Sequence, residues 1–358
     1  AAPRRWSRRV PSLDPVTLTV LPAPKAVSST SSNAVMASLL ALNSSGVRVA
    51  DLAVPDPGFG EVRVRVRAAS LNFPDLLLCQ GKYQLKLDPP FTPGMDAAGV
   101  IEAVGDGVTD WQIGDAVVCG MRFGALAEYV VISTQHLQKK PEQMSFSEAA
   151  SYQVAYLTAY VALVCRGNLQ AGETLLVHGA SGGVGMAAVD IGKLLGAKVI
   201  ATGGSDEKLR QVSDYGADYV FNTKDGFRHQ VKELTDGQGA DVIYDPVGGD
   251  IFDESTRCIN FNGRLLVIGF AGGRIATVSA NIPLIKGFSV MGVRAGEYGR
   301  RFPEKGIANV KAIWDWARQG KTRPYVHSEL PLSDIIEGFH RLQRREVVGK
   351  LVMKPSEA

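Results

Sequence analysis

The chain has 358 residues, 45% hydrophobic and 21% charged, which is enough to bury a substantial core and long enough for about two globular domains. Its net charge is +3, but residues 1–35 alone carry +4 (Arg4, Arg5, Arg8, Arg9 and Lys25 against Asp14), so residues 36–358 carry −1 and a nucleic-acid binder is excluded on charge grounds. No apolar run approaches bilayer length, so no membrane span is expected, and Cys79, Cys119, Cys165 and Cys258 lack the spacing of a disulfide framework or a zinc cluster.

Residues 1–35 combine Arg pairs, five prolines and the tract "SSTSSN", a composition that predicts a flexible N-terminal extension. An Arg- and Ser-rich, acid-poor segment is what organelle transit peptides look like. A mitochondrial or chloroplast location is therefore the expectation; the alternative is a cytoplasmic protein that starts at Met36. From about residue 46 to 137 the signals are β-like. "EVRVRVRAAS" alternates Val and Arg with period two, and "AAGVIEAVG" and "DAVVCG" are short apolar runs punctuated by turns.

The pattern changes near Ser145. "SFSEAASYQVAYLTAYVALV" predicts a helix with Ser145 or Ser147 as its N-cap, and from there apolar strands alternate with amphipathic helices as far as "RLLVIGF". That alternation means a parallel sheet with helices on both faces. The tail offers two helices, "FPEKGIANVKAIWDWARQGK" and "LSDIIEGFHRLQRRE", and a closing strand "GKLVMKP". It is expected to return to the first, β-rich domain, whose sheet needs helices to cover it.

Within the alternating region, "LLVHGASGGVG" runs a buried strand into Ser181, Gly182, Gly183, Val184 and Gly185. Gly182 lets a pyrophosphate approach the backbone, Gly185 lets the helix pack on the sheet, and the helix N-terminus offers free N–H groups to phosphate oxygens. The strand, helix and second strand follow at the distances a dinucleotide site requires. After the second strand, "KVIATGGSDEK" places Gly203 and Gly204 where an NAD site carries an acid. Glycine leaves room for a 2′-phosphate, and Ser205 and Lys208 supply a hydroxyl and a cation, so NADPH is the expected cofactor. Asp206 and Glu207 sit where a helix N-terminus favours acids, and the plain alternative for Lys208 is a surface lysine.

The segments "AASLNFPDLLLCQGKY", "FTPGMDAAGVIEAVGDGV", "IGDAVV", "LTAYVAL" and "AGETLLVHGASGGVGMAAVDIGKLLGAKVIAT" resemble the quinone oxidoreductase branch of the medium-chain dehydrogenase/reductase superfamily, a likeness covering residues 45 to 354. The resemblance implies an α/β fold: a GroES-like β-rich catalytic domain from residues 36–158 and 297–358, and a Rossmann NADP(H)-binding domain from residues 159–296. It also implies an active site in the cleft between them and a dimer or tetramer. Zinc-dependent members of the superfamily need three ligands, and at those positions this chain has Asn72, Met95 and Val154, which cannot hold the ion. Without a Lewis acid the expected acceptor is already electron-poor, a quinone or an α,β-unsaturated carbonyl.

By the same resemblance Asn72 and Tyr83 line the nicotinamide side. Tyr83, in "QGKY", stands where related enoyl-thioester reductases place a catalytic tyrosine, whereas Leu77 replaces a tyrosine of some quinone oxidoreductases. The plain reading of Tyr83 is an aromatic packed at a domain edge, and of Asn72 a turn residue. Thr158 matches a cleft threonine, and Gly269, Phe270 and Ala271 match the loop that approaches the nicotinamide. Arg345 matches a basic residue that helps with the 2′-phosphate, where a partner tyrosine of some relatives is Thr223. Arg294 and Tyr298 are implied at the substrate mouth. An enoyl-CoA or enoyl-ACP reductase is the neighbouring expectation. A non-catalytic nucleotide-binding subunit, docked on a larger assembly through its N-terminal arm, is the alternative from another class.

Overall fold

The computed structural model describes residues 16–20 and 46–355. Strand β1 (Val16–Val20) pairs antiparallel with β2 (Val47–Asp51). Its sequence, Val-Thr-Leu-Thr-Val, is strand-forming, so one part of the stretch expected to be flexible is extended and paired. The remainder of that expectation, including any docking role of the arm, falls on residues outside the described ones.

The first sheet is organised by β3 (Glu61–Leu71). Its alternation buries Val62, Val64 and Val66 and leaves Arg63 half-buried on the other face, where it pairs with Asp56 and Glu102 at 3.1 Å each. The basic side of the strand is thus a half-exposed face with local carboxylate partners. Strands β4 (Asp96–Val104), β5 (Ala116–Gly120), β6 (Tyr129–Ser133) and β7 (Leu137–Lys139) follow. One edge of β3 pairs antiparallel with β4, and the other is divided, β6 taking Glu61 to Arg65 and the chain's last strand taking Ala69 to Leu71.

The second sheet contains β8 (Thr174–Val177), β9 (Lys198–Gly203), β10 (Tyr219–Asn222), β11 (Ala240–Asp245), β12 (Ile259–Val267) and β13 (Ser289–Gly292), in the order β10-β9-β8-β11-β12-β13 with every pair parallel. All four residues of β8 are buried, as a strand covered on both faces requires. The chain leaves β8 towards β9 and β10, then returns to β11 on the other side, which opens a crevice at the carboxyl ends of β8 and β11. His178, directly after β8, is fully buried between Thr202 and Ser255, each 2.7 Å from one ring nitrogen. Burial pushes its pKa down to about 3, so the ring is neutral at physiological pH. Ser255 donates to the Ile251 carbonyl, so it accepts from Nε2–H and fixes the tautomer.

The chain then returns to the first sheet through β14 (Val326–Pro331) and β15 (Lys350–Lys354), which are parallel to each other, β15 being the strand against β3. Of the helices, α1 (Phe73–Cys79) follows β3 and α2 (Phe146–Tyr160) bridges the two sheets. Ser145 caps α2: its hydroxyl accepts from Glu148 N–H at 3.1 Å while the Glu148 carboxylate accepts from Ser145 N–H at 2.8 Å. Tyr152 and Tyr156 of α2 stack at 4.0 Å, and Tyr152 donates to the Ile313 carbonyl at 2.7 Å. Tyr156 donates to Asp190 at 2.6 Å, on the helix α3 (Gly183–Leu194) that follows β8. One aromatic face therefore holds the tail helix and the nucleotide helix together. Helix α4 (Asp206–Asp214) follows β9.

Candidate active site

The glycine turn is built as its residue types require. A Cβ at Gly185 would lie 2.4 Å from the Gly179 carbonyl oxygen, so this glycine permits helix-to-strand contact. At Gly182, the N-cap of α3, a Cβ would meet nothing nearer than 3.4 Å, and no side chain caps the helix. The N–H groups of the first turn and the open face over Gly182 thus suit an anionic diphosphate. Gly183 has a different reason: a Cβ there would sit 2.8 Å from Cδ of Lys350.

The end of β9 is likewise open. A Cβ at Gly204 would have only Thr223 Oγ1 within reach, at 4.0 Å. Ser205 is the N-cap of α4 but makes no capping hydrogen bond, so its hydroxyl is available. Asp206 accepts from the Asn222 amide at 2.7 Å, and Thr223 donates to the Gly203 carbonyl at 3.3 Å. Lys208 is partly engaged: its ammonium donates to the carbonyls of Arg345 and, at 3.2 Å, Val347. Arg345, in a left-handed backbone conformation with φ of 57°, sends its guanidinium the other way, donating to the Ala271 carbonyl at 2.9 Å. The structure therefore joins Lys208, Arg345 and the loop of Gly269, Phe270 and Ala271, but through the main chain of Arg345 on one side and its charged end on the other. That loop is braced by residues after β11: Asp245 accepts from Val247 and Gly248 N–H at 2.8 and 2.9 Å, and the Pro246 carbonyl accepts from Ala271 N–H at 3.0 Å.

On the other wall, Asn72 is the N-cap of α1 and is buried. Its amide donates to Asp96 Oδ2 at 3.2 Å and to the Ser70 carbonyl at 3.4 Å, and its Oδ1 accepts from Lys350 Nζ at 2.6 Å. Lys350 Nζ lies 4.0 Å from Asp96 Oδ2. Asp75, on α1, accepts from Asn72 N–H at 2.9 Å and Gly94 N–H at 3.1 Å. Burial raises both carboxyls, Asp75 to about 7 and Asp96 to about 6, against the opposing pull of the Lys350 charge, and burial also lowers the Lys350 pKa. Desolvation outweighs the attraction here, as it does for ion pairs removed from water. Asn72 thus acts as a keystone, with both amide atoms engaged inside the protein.

Tyr83, four residues beyond α1, is half-exposed, and its hydroxyl has no hydrogen-bond partner among the described residues. Thr158 donates to the Val154 carbonyl one turn back at 2.7 Å, leaving its oxygen able to accept. Met95 is buried and Val154 half-buried. Val154 has no donor atom, the Met95 thioether is not a zinc-site ligand, and the Asn72 amide already holds an ammonium, so these three positions do not make a zinc site. Sequence reasoning missed Lys350, Asp75 and Asp96. The available signal was a lysine inside the apolar run "VVGKLVM", where burial demands a partner.

A β-rich domain closed by the chain's own tail, set against a parallel sheet with a glycine turn at its switch point, defines a two-domain nucleotide-dependent oxidoreductase. Two family models match: the alcohol dehydrogenase GroES-like domain over residues 58–142 and the zinc-binding dehydrogenase domain over residues 183–312. A quinone oxidoreductase-like protein 2 homolog from Nematostella vectensis is 38% identical over 305 residues, 84% of this chain and 83% of that protein. The crystal structure of the CurK enoyl reductase superposes with a TM-score of 0.82 at 26% identity, covering 96% of this chain and 100% of the other. A mycobacterial protein complexed with NADPH gives 0.79 at 30% identity, covering 86% of this chain and 96% of the other. The chain belongs to the medium-chain dehydrogenase/reductase superfamily, in its zinc-free quinone oxidoreductase branch, and is an oxidoreductase that uses a nicotinamide cofactor.

Replacing Lys350 by Met should destabilise the protein by about 3–5 kcal/mol, because the buried acceptors lose their cation. Adding Asp96→Asn should recover part of that loss. Urea unfolding of both single variants and the double variant checks this, and additive losses would contradict the pairing.

Proposed function

We propose that this protein is an NADPH-dependent, zinc-independent reductase that delivers a hydride to quinones or α,β-unsaturated carbonyls. The observation that carries the reading is the pair of walls just described. One offers an acid-free bend after β9 beside an unengaged Ser205 hydroxyl. The other has an ammonium–amide cluster at the ligand position of zinc enzymes and, on the segment after α1, Tyr83, whose hydroxyl has no hydrogen-bond partner among the described residues. Bound at the glycine turn, the coenzyme supplies two electrons and one hydrogen as hydride. An enone plus NADPH and a proton gives the saturated ketone and NADP⁺, the hydride going to the β-carbon and the proton to the α-carbon.

The chain's own residues divide the remaining work. The first-turn N–H groups of α3 bind the diphosphate, and Ser205 with the third donor of Lys208 addresses the 2′-phosphate. The loop of Gly269, Phe270 and Ala271 forms the wall behind the nicotinamide. Tyr83 donates a hydrogen bond to the acceptor oxygen as negative charge gathers there, and its phenol can pass on the proton. Lys350 and Asp96 hold Asn72, the N-cap residue of α1, whose N–H donates to Asp75 on that helix, and so fix the start of the segment that ends at Tyr83. A 2-enoyl-thioester is the neighbouring substrate class, favoured by the enoyl reductase among the structural neighbours and by the "QGKY" step.

A homo-oligomer, dimer or tetramer, belongs to the same proposal. β13 ends the six-stranded sheet, and nearby Leu284 and Ile285 are 80% and 74% exposed. An unpaired edge beside apolar side chains suits pairing with a second copy. Light scattering should return at least twice the 38.3 kDa chain mass, and a monomer would overturn this part.

For the cofactor, Lys208→Ala should weaken NADPH about tenfold to a hundredfold and leave NADH nearly unchanged, since a charge-assisted hydrogen bond contributes about 1.5–3 kcal/mol. Equal effects on both coenzymes in a binding titration would refute that role. For the chemistry, a quinone, a simple enone and a 2-enoyl-CoA should be assayed by NADPH absorbance. Tyr83→Phe is expected to lower kcat by about a hundredfold, the loss typical of one oxyanion donor. An unchanged kcat would remove Tyr83 from the mechanism.

A further inference from the structure

A cavity of about 180 Å³ lies at the carboxyl edge of the parallel sheet. Gly292, the last residue of β13, lines it, and the next residue, Val293, donates to the Val267 carbonyl at 2.9 Å, two residues before the nicotinamide loop begins at Gly269. Val161, the residue directly after the bridging helix and three beyond Thr158, also lines the cavity. The cavity therefore adjoins the proposed reaction site. It is too small for a whole substrate and of a size to take one substituent.

Its chemistry is lopsided. Arg166, Arg294 and Arg301 line it, with Glu297 the one acid among the lining residues. Glu297 is already committed: Arg301 donates to it at 2.8 Å and Arg300 at 3.0 Å. The guanidinium groups of Arg166 and Arg294 make no hydrogen bond or ion pair with the described residues, although both residues line one small cavity. Tyr298 and Phe302, with ring centroids 5.3 Å apart, provide an aromatic wall. General basicity does not explain this concentration, because residues 36–358 carry a net charge of −1. Two guanidinium groups without partners among the described residues, on the lining of one cavity, leave it positively charged until an anion enters, and their planar forks fit carboxylate or phosphate oxygens.

We propose that this cavity is an oxyanion subsite which selects acceptors carrying a carboxylate or phosphate on the arm remote from the reducible bond, Arg166 and Arg294 being its ligands and Tyr298 and Phe302 packing the intervening methylenes. The inference rests on the reductase reading above. It narrows the natural substrate from any electron-poor acceptor to an acidic one.

Two matched pairs test it: an enone bearing a terminal carboxylate on a short saturated chain against its methyl ester, and 2-butenoyl phosphopantetheine against 2-butenoyl pantetheine. The wild type should favour the charged member of at least one pair. Arg166→Ala and Arg294→Ala should each raise its KM about tenfold to a hundredfold, and Arg166→Ala should leave kcat/KM for the neutral member within about twofold. Arg166→Lys should restore part of the preference. Preference in the carboxylate pair alone or the phosphate pair alone identifies the source of the oxyanion. Equal use of charged and neutral members, or a preference that survives both alanine variants, would overturn the subsite while leaving the reductase reading intact.

Titration calorimetry with pentanoate and with phosphopantetheine reads the cavity without turnover. Binding by the wild type that is lost in the Arg166→Ala, Arg294→Ala double variant supports the subsite even if no acceptor is reduced, in which case the reductase reading fails alone. No binding of either anion counts against the subsite whatever the turnover.

Discussion

A lysine ammonium held away from water, 2.6 Å from an amide oxygen on a segment 278 residues earlier in the chain, constrains most of this molecule. An unpaired buried cation is among the most expensive groups a fold can contain, so Lys350 must arrive together with Asn72 and Asp96. That requirement fixes the return of the tail. It places β15 against the end of β3 and leaves Gly183 no space for a side chain. The residue before it, Gly349, donates its N–H to the Ser181 carbonyl at 2.7 Å, so the same strand start also meets the glycine turn. One buried charge thus connects the glycine turn to the Asn72 wall of the cleft.

The chemistry of the cleft follows from what occupies that centre. Zinc enzymes of the superfamily polarise a carbonyl with a divalent ion. Here a monovalent ammonium is enclosed by an amide and carboxylates, with its charge largely answered inside the protein. Such a cluster organises the backbone of α1 without acting as a Lewis acid on an incoming oxygen. Stabilisation of a developing oxyanion must then come from hydrogen bonds, which suffices for an acceptor that delocalises its charge. The same logic underlies the subsite proposed at the end of β13: charges left without partners among the described residues are open to a ligand, whereas charges paired in the interior hold a shape.

Several site residues were legible because their role is local. Gly182 and Gly185 follow a buried strand and open a helix, and the geometry of that turn is dictated within a few residues. The capping of α2 by Ser145 and the alternating burial of Val62, Val64 and Val66 are local in the same way. Other residues were seen as types without their partners. Lys208 reads as a free cation in "SDEK", yet the structure gives it two main-chain carbonyls from residues 345 and 347. Arg345 reads as a phosphate ligand, and its guanidinium faces the Ala271 carbonyl instead of the bend after β9. Asn72 reads as lining the cleft, and its amide is enclosed.

Periodicity, turn chemistry and charge therefore determined the α/β class, the parallel nucleotide sheet, the glycine turn and the place where the tail had to return, because each depends on interactions a few residues apart or on the sign of a local charge. Only the tertiary structure decided that Lys350, Asp75, Asp96 and Asn72 form one buried cluster. It alone decided, too, that Arg166 and Arg294, 128 positions apart, face a single cavity. The physical reason is that a charged side chain carries no mark in the sequence of the group that will answer its charge. That partner is chosen when distant segments are brought out of water together, and the cost of leaving either one unpaired is what holds them there.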